Sequence, residues 1–167
     1  MIKMDQSVPL PGAGERKRGE DGYLGYLLRQ AANAYRYRVE QALSDLQLTQ
    51  PQFAVMTMLG AYPGHSSADL ARLALLTPQT MSVIVANLMK MGLVDRRAHQ
   101  VHGRIQKLAL TDRGKDRLQA AKSRVYSLEN DMLQALSKDD EAVIKKWLVR
   151  VAVNGTDVLH DPASDDE

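Results

Sequence analysis

Cysteine is missing from the 167 residues of this chain. That excludes disulfides, thiolate metal sites and thiol-based peroxide sensing, and it suits a reducing compartment. Long apolar runs are missing too. Stretches such as Leu73 to Leu76 fall far short of the roughly 18 residues that a membrane span needs. The opening residues MIKMDQSVPLPGAG lack the apolar segment of a secretory signal. The expected compartment is therefore the cytoplasm, with no membrane partner. No serine, histidine and carboxylate fall into a catalytic motif, and there is no glycine-rich phosphate cradle. No catalytic residue, metal or cofactor is expected.

What is present is an ordinary globular composition, 44% hydrophobic and 25% charged, with a net charge of +2. The charge is unevenly distributed. Between Leu48 and Arg117, nine lysines and arginines face four aspartates, giving this stretch +5 and leaving −3 for the remainder. A basic middle within a more acidic chain is the footprint of one surface that meets a polyanion.

The organisation follows from periodicity and helix-end chemistry. Residues 1–21 carry three glycines, two prolines and Glu15-Arg16-Lys17-Arg18, and read as a disordered arm. Leu24, Leu28, Ala31, Tyr35, Val39, Ala42 and Leu46 recur at helical spacing and predict a long first helix within 22–47. A second apolar set, Tyr23, Leu27, Ala34 and Tyr37, widens that face enough for two packing partners.

Thr49 with Gln52 forms a capping box for a second helix, and Pro51 is tolerated in its first turn. Tyr62-Pro63-Gly64 breaks that helix, and Ser66 or Ser67 caps a short third one. Leu75-Leu76 makes a turn. Thr77-Pro78 then opens a fourth helix that stops at Gly92.

Leu93 to Arg97 and Ile105 to Leu110 read as strands around a hairpin loop at His99–Gly103. Thr111 caps a fifth helix whose seam is Leu118, Ala121, Val125, Leu128, Met132 and Ala135. Ser137 with Asp140 opens a sixth, through Val143, Trp147 and Val151. The expected boundaries are 48–117 for the capped helices and the hairpin, 118–157 for the C-terminal helices and 158–167 for an acidic tail.

A short helix, a turn and a capped helix, followed by a basic hairpin, suit entry into a major groove with the wing along the backbone. On the fourth helix Met81, Ile84, Leu88 and Met91 define the buried side. Gln79, Thr80, Ser82, Val83, Ala86, Asn87 and Lys90 are left to face DNA. Gln79 and Asn87 can pair bidentately with adenine, and Val83 and Ala86 can meet thymine methyl groups. An A·T-rich half-site is expected. Arg96, Arg97, Arg104 and Lys107 suit phosphate or minor-groove contacts.

His99 and His102 lack the cysteine or carboxylate company of a zinc site and read as a polar wing tip. A winged helix that binds protein instead of DNA is the alternative. It has little reason to gather Arg96, Arg97 and Arg104 around one hairpin.

The stretch from Leu48-Thr49 through Leu70-Ala71, Leu88, Gly92-Leu93-Val94-Asp95-Arg96 and Leu110-Thr111-Asp112-Arg113-Gly114 resembles the MarR family of regulators. The resemblance implies a mainly α fold: a winged helix-turn-helix with a two-stranded β wing, plus long N- and C-terminal dimerisation helices. It further implies a triangular homodimer, most often a repressor, that binds a pseudo-palindrome in double-stranded DNA. It also implies a cleft for a small anionic or phenolic effector. Tyr35, Arg38, Phe53 and Met56 are of the type to line that cleft, and His65 lies in its neighbourhood. The resemblance departs where the family's wing carries Asp-x-Arg and this chain has His102-Gly103-Arg104. It departs again at Val83 and Asn87, where basic residues are common in the recognition helix.

Overall fold

The structure, a computed structural model, describes residues 10–98 and 106–156. The expected hairpin loop with His99 and His102, Arg104, and the acidic tail lie outside the described residues. The chain divides into two compact units, one ending at Val125 and the other beginning at Tyr126.

In the first unit, helix α1 (Leu24–Leu43) continues into a turn of 3-10 helix at Ser44–Leu46 and ends at Gln47 in the left-handed region. Its expected apolar face is mostly not buried. Of those residues only Val39 is fully covered, and Leu43, outside the expected set, is the second anchor. Leu24 and Tyr37 stay 63% exposed and Tyr23 80%. The wide apolar surface of α1 thus exceeds what this chain covers.

Ahead of α1, the described residues make local polar contacts. Arg16–Arg18 form a 3-10 turn. Gly12 N–H donates to the Glu15 carboxylate at 2.7 Å, and the Arg18 guanidinium donates to Pro11 O at 2.7 Å. Local polar contacts replace the apolar burial that a longer element would need.

Helix α2 (Gln50–Ala61) opens with the expected capping box. Thr49 Oγ1 accepts from Gln52 N–H, and Gln52 Oε1 accepts from Thr49 N–H at 3.0 Å. This reciprocal pair satisfies Gln52, a buried polar residue.

Helix α3 (Ser67–Leu73) repeats the device with Ser66 and Asp69. It ends in a Schellman-type turn: Leu76 N–H reaches Ala71 O at 2.9 Å, while Leu75 takes a φ of +52°. A leucine there accepts a left-handed strain that glycine would avoid, of the order of 1–2 kcal/mol.

Helix α4 (Pro78–Lys90) is capped by Thr77, whose Oγ1 accepts from Thr80 N–H at 3.2 Å. It closes on Gly92 at φ +68°, with Leu93 N–H on Leu88 O at 3.0 Å. Met81, Ile84, Val85 and Leu88 are its buried residues. Val85 therefore joins the expected anchors, and Met91 is only half-buried. The helix ends before Met91 can follow the buried stripe.

Strands β1 (Val94–Ala98) and β2 (Gln106–Leu110) pair antiparallel, Val94 opposite Leu110 and Arg96 opposite Leu108. Val94, Leu108 and Leu110 close the core from this side. Leu108 N–H also donates to His65 O at 3.3 Å, which ties the wing to the α2–α3 loop.

Helix α5 (Asp112–Leu133) starts where the wing returns. Thr111 Oγ1 accepts from Gly114 N–H at 3.0 Å and donates to Gly92 O at 2.7 Å, and Thr111 N–H meets Leu93 O at 3.1 Å. Gly114 is buried so closely that a Cβ there would overlap the Leu93 carbonyl. Leu118, Ala121 and Val125 of the expected seam are buried. The seam does not continue as a six-residue stripe, because Met132 is exposed and Ala135 lies past the helix end.

Two arginines of α5 clasp the end of α1. Arg117 donates to Leu46 O, and Arg124 donates to Ala42 O at 3.2 Å and pairs with the Asp45 carboxylate. They supply partners for carbonyls that a helix end leaves without any.

In the second unit, Ser137 and Asp140 cap helix α6 (Lys138–Thr156) reciprocally. Among its described residues none is buried. Val143 and Val149 are 67% and 63% exposed, with Leu148, Val151 and Val153 also open. Among the described residues no helix is long and apolar enough to cross a membrane.

Gly114→Ala should lower stability by about 1–3 kcal/mol or more, since the added methyl meets backbone that cannot swing aside. Thermal unfolding followed by circular dichroism checks this, and an unchanged midpoint would mean a looser junction than the one described. The Asp45–Arg124 pair sets a pH dependence. The hydrogen bond from Arg124 holds the Asp45 carboxyl below its ordinary value of 3.8. Its folded-state value is depressed, so its stabilisation is complete above the ordinary value and disappears as pH falls through the lowered one. The stability gap between wild type and Asp45→Asn should be constant above about pH 5 and shrink below 3.8.

Candidate nucleic-acid interface

One flank of α4 is fixed by the core, so the opposite flank is displayed. Gln79, Thr80, Ser82, Val83, Ala86, Asn87 and Lys90 are all exposed, Val83 by 61%. Five turn or core fixtures hold this display. Thr77 caps the N-terminus, Gly92 ends the helix, and Met81, Ile84 and Leu88 anchor its underside.

The exposed hydroxyls are not equal to the amides. Thr80 Oγ1 lies 2.9 Å from Thr77 Oγ1, and Ser82 Oγ donates to Pro78 O at 2.8 Å. Both are turned back onto the helix start. Gln79 and Asn87 are the long amides on the face, with Val83 and Ala86 between them.

The wing contributes cations at one side of this helix. Arg96 is exposed on β1, and the backbone of Arg97 pairs with Lys107 on β2. Lys107 is half-buried, and its side chain lies where a Cβ added at Gly64, which adopts φ +85° in the α2–α3 loop, would meet it. The side chain of Arg97 and the whole of Arg104 lie outside the described residues.

The basic middle of the chain divides by role. Arg72 pairs with Asp69 at 3.4 Å, Lys115 pairs with Asp112 at 2.9 Å, and Arg117 serves the α1 carbonyl. Lys90, Arg96 and Arg113 are exposed. Arg113 was counted in the net charge without a role. Its guanidinium comes near Gly92, at the end of α4. The sequence clue was its place one residue before Gly114, the residue that must press against Leu93. Asp69 remains an anion, its carboxyl held below the ordinary value chiefly by the Ser66 hydroxyl and then by Ser66 N–H, with Arg72 and His65 adding to the effect.

The expected effector residues are scattered in exposure. Tyr35 and Phe53 are half-buried, and Met56 is fully buried within the core. Arg38 is exposed, so water, not an apolar face, surrounds its charge. His65 is half-buried. Its Nδ1–H donates to Tyr62 O at 3.0 Å, and its ring stands edge-on to Tyr62 at 6.1 Å.

Comparison with known proteins bears on this geometry. The sequence profile of the MarR family matches residues 46–105. The chain is 36% identical over 132 residues to the HTH-type transcriptional repressor Rv2887 of Mycobacterium tuberculosis, covering 79% of this chain and 95% of that protein. It is 31% identical over 127 residues to the transcriptional regulator HosA of Escherichia coli, covering 76% and 92%. Rv2887 has been solved with salicylic acid, with a TM-score of 0.63 and 79% of this chain and 98% of that one aligned. It has also been solved with DNA. The repressor CouR on a 23-mer DNA duplex superposes with a TM-score of 0.73 at 27% identity, covering 78% and 92%.

An exposed, capped α4 beside a two-stranded basic wing, together with relatives aligned over nearly their whole length, identifies the chain as a member of the MarR family of winged-helix transcription regulators.

Proposed function

We propose that this chain is a ligand-responsive repressor that binds a pseudo-palindromic operator as a homodimer, one α4 entering each major groove. The observation that carries this reading is α4 itself: seven exposed side chains on one flank, four buried anchors on the other, and the cations of the wing alongside. Gln79, Val83, Ala86 and Asn87 would meet base edges, with Thr80 and Ser82 at the helix start. Lys90, Arg96, Arg97, Arg104 and Lys107 would meet phosphate or the minor groove, joined by Arg113 at the end of α4. Two such helices related by a two-fold axis read half-sites about 10 bp apart.

Dimerisation is supported by apolar surface that the chain leaves open. Tyr23, Leu24 and Tyr37 on α1, and Val143, Leu148, Val149 and Val153 on α6, are exposed. Exposed apolar residues gathered on a helix suit an interface with a partner. Residues 22–47 and 118–157 would then be the dimerisation elements, and 48–117 the DNA-binding region. Work on DNA would suit the cytoplasm and would ask no catalytic step of the protein.

The small anionic or phenolic effector is supported by the relative Rv2887, which binds salicylic acid. A ligand held near Tyr35, Arg38, Phe53 and His65 would act by favouring one spacing of the two wings over another. It can shift operator binding only by its difference in affinity between those two shapes.

Fluorescence anisotropy with the DNA upstream of the chain's own coding sequence, across a salt series, tests the core of this reading. Tight binding that weakens steeply with salt is expected, and Lys90→Ala and Arg96→Ala should each reduce the salt slope by about one. Asn87→Ala should instead relax preference at one base position, at a cost of about 1–3 kcal/mol. Sites selected from random DNA should be rich in A·T pairs at the half-sites, and G·C dominance would refute the base-contact assignment. Leu148→Glu should leave helical content unchanged, convert the dimer to monomer in sedimentation equilibrium, and abolish operator binding. A dimer that survives this change would move the interface away from α6.

A further inference from the structure

Among the described residues, three that are not glycine adopt a positive φ: Arg16 at +48°, Gln47 at +54° and Leu75 at +52°. This left-handed region costs an L-residue conformational energy, because its Cβ crowds the following carbonyl oxygen. Arg16 and Gln47 are polar and exposed, which suits such a place at a surface. Leu75 is apolar, and 58% of it is open to water. It carries two costs at once, backbone strain and solvated apolar surface, and the buried core is built without it. Glycine or asparagine would form the same turn with less strain.

We infer that the Leu75 side chain is itself a DNA contact, covering apolar surface of the operator at the edge of what α4 reads. That surface is a thymine methyl group or the carbons of a deoxyribose. The inference rests on α4 meeting DNA, and it adds a residue that stands outside that helix. Place in the fold argues for this occupant. Leu75 lies two residues before the Thr77 cap, and Thr77, Pro78, Gln79 and Thr80 are all exposed. The outward surface of α4 therefore runs back along the chain into the turn that contains Leu75. A helix that reads base edges with its N-terminal residues brings the preceding turn to the edge of the groove. Chemistry argues in the same direction. Val83 and Ala86 are apolar members of the α4 flank, and thymine methyls take apolar contacts. A strained position that does nothing for the interior is where a functional contact is to be sought.

The turn itself does not need this side chain. Its hydrogen bonds are main-chain: Leu75 N–H donates to Arg72 O at 3.3 Å and Leu76 N–H to Ala71 O at 2.9 Å. Changing Leu75 to another residue with an N–H removes neither bond. The contact with DNA also differs in kind from those of the wing cations. It carries no charge, so it should add affinity without adding to the salt dependence. Taking about half of a leucine side chain out of water corresponds to about a fivefold to tenfold gain in affinity.

A duplex selected from random DNA with the wild-type protein supplies the probe. Leu75→Asn, Leu75→Gly and Leu75→Met are compared on it by fluorescence anisotropy across a salt series. Asparagine and glycine suit the backbone of the turn and remove the apolar contact. Both should weaken binding about fivefold to tenfold, with the salt slope unchanged and the thermal midpoint no lower than that of wild type. Methionine keeps the apolar surface and should bind within about twofold of wild type. Replacing single thymines by deoxyuridine then separates the two partners on the DNA. A position whose methyl matters to wild type and not to Leu75→Asn assigns the thymine, and the absence of any such position assigns the sugar. Unchanged affinity in Leu75→Asn, or a midpoint that falls together with affinity, would overturn the inference. A shallower salt slope would do the same, because the variant would then have displaced the cations. So would a variant that sediments as a monomer where wild type is a dimer, which moves Leu75 to an interface between copies. Selection that yields no duplex bound by wild type would overturn the DNA reading, and this inference with it.

Discussion

The contact between the first turn of α5 and the backbone leaving α4 holds the other parts of the DNA-facing surface in register. Gly114 has no side chain because the Leu93 carbonyl occupies the space where one would go. Around it, Thr111 uses its hydroxyl twice, accepting from Gly114 N–H and donating to Gly92 O, and adds its own N–H to Leu93 O. Thus the end of α4, both feet of the wing and the start of α5 share one knot of backbone groups. Each group in it would be left unpaired if its neighbours moved apart, which is the costly outcome for polar atoms close to a core. A wing attached in this way cannot change its angle to α4 without also disturbing the long helix that follows.

Helix ends, more than helix interiors, determine what is displayed. Five helices open with a side-chain cap, at Thr49, Ser66, Thr77, Thr111 and Ser137, so that the start of each is fixed to a single residue. The consequence is rotational: fixing where α4 begins and where Gly92 ends it decides which flank Met81, Ile84, Val85 and Leu88 must bury. The other flank then faces outward without needing any contact of its own. The α3–α4 turn achieves this with Leu75 in a left-handed conformation, where glycine would be less strained. The strain sits two residues ahead of the Thr77 cap of α4.

These local signals explain how much could be read in advance. The caps, the Gly92 stop, the paired strands and the exposed flank of α4 are written in residues adjacent to the features they control. Leu43 and Val85 were not legible in this way, because the spacing of apolar residues gives a face but not the width of the partner covering it. On α1 and at the end of α5, periodicity described a longer buried stripe than this chain buries; Leu24 and Met132 follow the pattern and remain open. Such residues obey a helical period whose partner lies outside the chain. Met56 and Arg38, both of a type suited to an effector cleft, sit at opposite extremes of burial. Composition marks what a side chain can do, whereas burial decides whether a ligand can reach it.

Charge illustrates the same distinction and bears on the strength of DNA binding. A net +5 over the middle of the chain suggests a broad polyanion surface, yet several of those cations are spent internally. Arg117, together with Arg124 beyond that stretch, anchors the carbonyl end of α1, while Arg72 and Lys115 answer nearby aspartates. Among the described residues of that stretch, Lys90, Arg96 and Arg113 are cations with exposed side chains. α4 itself carries Val83 and Asn87 where a cation would strengthen binding to any duplex. Fewer non-specific phosphate contacts lower the affinity for all DNA alike, so that a larger share of the binding free energy must come from base edges. A regulator built in this way gives up some overall affinity and gains in the ratio between its operator and the rest of the genome, which is the quantity that governs occupancy in a cell.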